Sequence, residues 1–111
     1  MDVSRFFTGI EKVDVAMDED TSFLHYIPTS TAGDGDFYKT LESFSWYYMR
    51  DKWEYDIVKD EIGKNKKVIE IGSGEGFFLE KIKADQEKVI GLELNKSAIE
   101  KAKKKNLNVI L

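Results

Sequence analysis

The sequence predicts an α/β fold whose second half is a doubly wound parallel sheet, and three observations predict it. Apolar stretches of strand length recur at 67–71, 89–94 and 107–111. Segments with helical spacing of apolar residues separate them, at 76–84 and 96–105. A glycine-rich turn, with Gly72, Gly74 and Gly76, joins the first strand to the first helix. Parallel strands joined by right-handed helical crossovers give such a sheet, with its two helices on one face.

The elements before it follow in order. Residues 10–17 alternate apolar and polar side chains, 18–21 supply turn chemistry, and a second apolar run closes at Pro28, which together read as a β-hairpin. Residues 29–36 are a loop by composition. From 37 to 62 the apolar positions Leu41, Phe44, Tyr48, Tyr55, Val58 and Ile62 keep helical spacing, which Asp51 interrupts. Either the helix breaks near 45–50 or Asp51 faces something polar. Gly63 and Asn65 then stop it, as glycine and asparagine do at helix C-termini. Three segments result: a hairpin and loop at 1–36, a helical leader at 37–65, and the parallel-sheet segment at 66–111.

Composition narrows the function. A chain of 111 residues with 41% hydrophobic content buries one modest core. It has no cysteine and one histidine, His25, so neither a disulfide framework nor a thiolate metal site can form and no metal site is expected. No apolar run approaches the roughly 20 residues that span a bilayer, and the charged first residues do not make a secretory signal. The expectation is a cytoplasmic protein with no membrane partner. Charge is uneven, with 6 basic and 14 acidic residues in 1–62 against 11 basic and 7 acidic in 63–111. Lys101, Lys103, Lys104 and Lys105 fall at the C-terminal end of a helix, where cations complement the dipole. No aromatic residues interleave with them, so no nucleic-acid partner is expected.

The chemistry concentrates at 66–78, KKVIEIGSGEGFF. Val68, Ile69 and Ile71 read as a buried strand, yet Glu70 sits among them. An unpaired buried carboxylate costs several kcal/mol, so a strand keeps one only where a positive group or several donors meet it. The glycines allow a tight turn, close approach of a ligand, and a helix start whose amides point into the same crevice. A dinucleotide fingerprint, G-x-G-x-x-G, needs its third glycine at 77, where this chain has Phe77. A second acid, Glu93, follows Gly72 by 21 residues, near the spacing at which a carboxylate accepts the hydroxyls of a ribose. The site therefore expects a ribose and a positive charge, without a demand for pyrophosphate.

Through the E-x-G-x-G-x-G motif at 70–76 and the GLELNKSAIEKAKKK segment at 91–105, residues 67–111 resemble the first part of the class I S-adenosylmethionine-dependent methyltransferases. The resemblance implies a Rossmann-like sheet and S-adenosyl-L-methionine as cofactor. It implies that Glu70 and the backbone around Gly72 and Gly74 hold the methionine part, that Glu93 binds the ribose hydroxyls, that Leu94 packs on adenine, and that Ser73, Gly76 and Phe77 belong to the same cofactor site. Asn95 falls where the next helix is capped, which suits an asparagine. The leader resembles segments that pack over the cofactor pocket in some members, although its aromatic set, Trp46, Tyr47, Tyr48, Trp53 and Tyr55, also fits plain core packing. Arg50 is a candidate for the methionine carboxylate or a surface partner of Asp51 and Glu54.

The family's sheet has seven strands, so the resemblance also implies a sheet truncated after its third strand, the N-terminal part of a methyltransferase acting on a small-molecule acceptor. No catalytic residue is identified within it, and the 111 residues alone are expected to be inactive. The cut leaves the first parallel strand with a free edge, open to pairing with a second copy or with the N-terminal hairpin. Two other readings stand beside this one: an oxidoreductase with a nicotinamide dinucleotide, and a non-catalytic binding module.

Overall fold

The computed structural model describes residues 2–111. The chain divides between Asp34 and Gly35 into two compact units. In the first, a 3-10 turn at Ser4–Phe7 precedes the antiparallel pair β1 (Asp14–Met17) and β2 (Leu24–Ile27). Asp18 closes that hairpin by accepting from the Thr21 amide at 2.8 Å and its hydroxyl at 2.7 Å, which holds its carboxyl below the ordinary value.

The second unit runs α1 (Gly35–Leu41), α2 (Trp53–Ile62), β3 (Lys67–Ile71), α3 (Phe77–Ile82), β4 (Lys88–Leu92), α4 (Lys96–Lys104) and β5 (Val109–Ile110). Its three strands are parallel and lie in sequence order, with β4 in the middle. The predicted α/β class and the hairpin are both present. Residues 37–65 belong to the same unit as the sheet.

The leader is two helices rather than one. Thr40 and Ser43 hydroxyls donate to the carbonyls of Asp36 (3.0 Å) and Thr40 (2.8 Å), local bonds that compete with helix propagation. Asp51, beyond the break, pairs with Lys81 of α3 at 3.0 Å. Both alternatives left open by the sequence therefore hold: the helix breaks, and Asp51 faces a cation. α2 ends at Gly63, whose φ of 70° suits glycine.

Register decides which side chains meet the core. Val68 pairs with Val89, and Glu70 with Gly91, which in turn pairs with Val109. Leu79 of α3 and Ile99 and Ala102 of α4 pack there with Leu107, Val109 and Val89. The opposite face carries Ile69, Ile71, Ile90, Leu92 and Ile110, of which Ile69, Ile71 and Ile110 are exposed and Ile90 and Leu92 half-buried. Here the expectation of a buried 67–71 strand is corrected. β3 is an edge strand whose Ile69 and Ile71 are 64% and 84% exposed, because the core residues of α3 and α4 pack on the other face of the sheet. β4 also ends earlier than predicted, so Glu93 and Leu94 lie in the connection to α4. Among the described residues no helix is long and apolar enough to cross a membrane.

Candidate functional site

The turn between β3 and α3 sits at the C-terminal end of the sheet and is held from within. The Gly72 and Ser73 amides both donate to the Leu92 carbonyl, at 2.8 and 3.0 Å, and the Gly76 amide donates to the Ser73 carbonyl at 2.8 Å. Two glycines are required by space as well as by backbone. At Gly74 (φ 53°) a Cβ would lie 2.7 Å from the Tyr48 ring, and at Gly76 (φ 75°) it would lie 2.6 Å from Leu107 Cδ1. A position the sequence reading did not single out, Gly91 of β4, is as tight: a Cβ there would lie 2.4 Å from Ser73 Oγ.

Two carboxylates flank the turn in different states. Glu93 is buried, and its oxygens accept from the Gly74 amide at 2.8 Å and the Asn95 amide at 2.7 Å. Each oxygen keeps a further acceptor direction. Glu70 is not satisfied in this way. It projects to the helix-covered face opposite Gly91, and its Oε2 is buried without a hydrogen-bond partner among the described residues. Burial pushes its carboxyl up to about 7, while the Lys52 charge pulls it down and the Glu93 charge adds to the rise.

Two cavities meet at the turn. The larger, about 470 Å³, is mostly apolar, and Tyr38, Tyr47, Tyr48, Ile71, Leu92, Leu94 and Leu111 line it with Gly72 and Glu93. The smaller, about 110 Å³, is polar and lined by Lys52, Tyr55, Glu70, Gly72, Ser73, Gly74, Glu75 and Phe77, with Tyr47, Tyr48 and Met49. The predicted residues are thus brought together on two contiguous surfaces: Glu93 and Leu94 on one, Glu70, Ser73, Gly74 and Phe77 on the other, Gly72 on both. Gly76 lines neither and packs against Leu107 and Ala102.

A network the sequence did not reveal holds this arrangement. Asn95 caps α4 by accepting from the Ser97 amide at 3.0 Å, and its Nδ2 donates to Glu42 at 3.0 Å and to Tyr48 Oη at 3.4 Å. Glu42 also accepts from Ser97 Oγ and from Lys101, whose Nζ reaches Glu75 at 2.9 Å. That Lys101 contact, before all others, holds the Glu42 carboxyl below its ordinary value. The Tyr48 phenol is pushed up to about 12, chiefly by burial. The cap at Asn95 was legible from the residue type. Glu42 lies 59 residues from Lys101, and no local pattern marks that pair. Arg50 is exposed and lines neither cavity.

No protein-family model, no curated protein and no solved structure matches this chain.

Proposed function

We propose that the second unit binds S-adenosyl-L-methionine and is the cofactor-binding part of a class I methyltransferase. One observation carries the reading: Glu70 Oε2, buried beside the glycine turn, has no hydrogen-bond partner among the described residues and would accept from a cationic ligand group. Beside it lie a ribose-competent carboxylate, Glu93, and an apolar cavity of a size to hold a flat base. In this assignment Leu94 and its apolar neighbours take adenine and Glu93 takes the ribose. Glu70 meets the ammonium, and the turn from Gly72 to Gly74 closes on the methionine chain. When bound, the cofactor supplies a methyl group on a sulfonium to a nucleophile of a small-molecule acceptor. The protein's part is to hold donor and acceptor in line.

The sheet supports the same proposal in its finer form, a Rossmann-like doubly wound sheet of which this unit holds three strands. Parallel sheets occur almost only with both faces covered, and here one face leaves Ile69, Ile71 and Ile110 exposed and, among the described residues, the β3 edge is unpaired. Further strands and helices of a longer protein would cover both, as would, less completely, a second copy paired along β3.

A nicotinamide dinucleotide fits less well. Phe77 replaces the third glycine, the turn amides of Gly72, Ser73 and Gly74 are spent on internal acceptors, and Glu70, Glu75 and Glu93 surround the turn with negative charge. The test is calorimetric titration of the chain with S-adenosylhomocysteine and with NAD, beside Glu93→Ala checked for folding by circular dichroism. S-adenosylhomocysteine binding that the folded variant loses is the expected result. NAD binding in its place would move the assignment to an oxidoreductase, and binding of neither would favour a non-catalytic module.

A further inference from the structure

To accept two neighbouring hydroxyls of a ribose, a carboxylate must be held at a fixed tilt. What holds Glu93 are the two amides that donate to it, Gly74 in the turn and Asn95 before α4. Both of these donors are tied to one residue of the leader.

That residue is Glu42, half-buried just after α1 and 53 residues before Asn95. One of its oxygens accepts from Asn95 Nδ2 at 3.0 Å, and the same Nδ2 donates to Tyr48 Oη at 3.4 Å. Asn95 Oδ1 accepts from the Ser97 amide at 3.0 Å, so the buried asparagine is held at both ends of its side chain. A side chain fixed in this way fixes the backbone amide that points at Glu93. The other oxygen of Glu42 accepts from Ser97 Oγ at 3.3 Å and from Lys101, whose Nζ also reaches Glu75 at 2.9 Å. Glu75 sits between Gly74 and Gly76, so Lys101 carries the hold of Glu42 into the turn. Being charged, Glu42 grips these donors more strongly than a neutral acceptor would. Neither Glu42 nor Asn95 lines the two cavities at the turn, so Glu42 acts on a ligand there only through Glu93.

We propose that Glu42 is a positioning residue for Glu93, and that through it the leader sets the preference of this site for a complete ribose over a 2′-deoxyribose. The proposal rests on the S-adenosylmethionine reading above and adds to it a residue far outside the glycine motif.

The experiment compares S-adenosylhomocysteine with its 2′-deoxy analogue by calorimetry on the full chain, for wild type, Glu42→Ala and Glu42→Gln. Wild type should bind the ribose ligand about tenfold more tightly, as one hydrogen bond to a charged group would give. In Glu42→Ala the preference should fall to about threefold or less. The ratio is the readout, because a change that merely loosens the fold weakens both ligands alike. Glu42→Gln keeps the size but turns an N–H towards either Asn95 or Lys101, and it should lower the preference by less. It carries the test if circular dichroism shows that Glu42→Ala does not fold. A folded variant that keeps the wild-type ratio, or loses both ligands alike, makes Glu42 a structural contact and overturns the proposal. Wild type that binds both ligands equally overturns it too, since Glu93 then does not read the ribose. If wild type binds neither, the S-adenosylmethionine reading itself fails and the proposal falls with it.

Discussion

Replacing Glu93 by glutamine tests whether this carboxylate holds the glycine turn in place. In the wild type a side chain only 8% exposed accepts from two backbone amides, Gly74 at 2.8 Å and Asn95 at 2.7 Å. Glutamine keeps the length and one acceptor, but whichever way it is placed its NH2 group faces one of the two N–H donors. A buried donor that loses its acceptor costs about 1–3 kcal/mol, and bonds to a charged group fall in the upper part of that range. A loss of about 2–3 kcal/mol is therefore expected. For a domain of 60–100 residues each kcal/mol moves the melting midpoint by about 4–8 °C, so the midpoint should fall by roughly 10–20 °C. Circular dichroism melts, with urea unfolding to check that the m-value is unchanged, measure it. A fall smaller than about 3 °C, with the Gly74 and Asn95 amide resonances unmoved, would mean that neither bond supports the turn.

Three further outcomes are expected. The Glu70 carboxyl is raised to about 7 from an ordinary 4.5, so the folded state holds a proton that the unfolded chain releases, and stability falls as pH rises between those values. The melting midpoint of Glu70→Gln minus that of wild type should accordingly grow from pH 4.5 to about 7 and then level off, and a flat difference would refute the assignment. Gly91→Ala would place a Cβ 2.4 Å from Ser73 Oγ and 2.8 Å from Leu79 Cδ1. It should cost about 1–3 kcal/mol in chemical denaturation, and a neutral result would show that the turn yields there. Ile69→Lys with Ile71→Lys should weaken self-association of the chain in sedimentation equilibrium, since both isoleucines face solvent on the bare side of β3. Wild type that stays monomeric at high micromolar concentration would count against pairing through this edge.

What the sequence made legible was local. The β-strand and helix alternation from Lys67 onward, the tight turn at Gly72 to Gly76 and the cap at Asn95 each depend on residues within a few positions of one another, and each is present. The break after Leu41 was half legible, because Asp51 disturbed the helical spacing while the serine and threonine bonds that compete with the helix left no periodic mark. Long-range features left no trace. The Glu42, Asn95 and Lys101 cluster and the approach of Lys52 to the Glu70 cavity depend on how the leader folds back over α4 and the turn. The exposure of Ile69 and Ile71 depends on which elements are there to cover them, which an apolar run does not encode.

The two unusual features of β3 belong to one choice of register. Along the strand Val68 and Glu70 face the helices while Ile69 and Ile71 face outward. For a sheet covered on a single face this is the wrong way round, since a slip of one residue would bury both isoleucines and expose the carboxylate. Burying an isoleucine contributes about 1.5–3 kcal/mol, so the observed register forgoes several kcal/mol and buries an unsatisfied oxygen as well. What fixes it is the pairing of Glu70 with Gly91, where the absent side chain leaves room for the turn's Ser73 against β4. The slip would remove Glu70 from the cavity beside the turn. Such an arrangement makes thermodynamic sense if Glu70 gains a ligand on the covered face and the isoleucines gain a layer on the other. The buried carboxylate on one face and the two isoleucines on the other are therefore two consequences of one register.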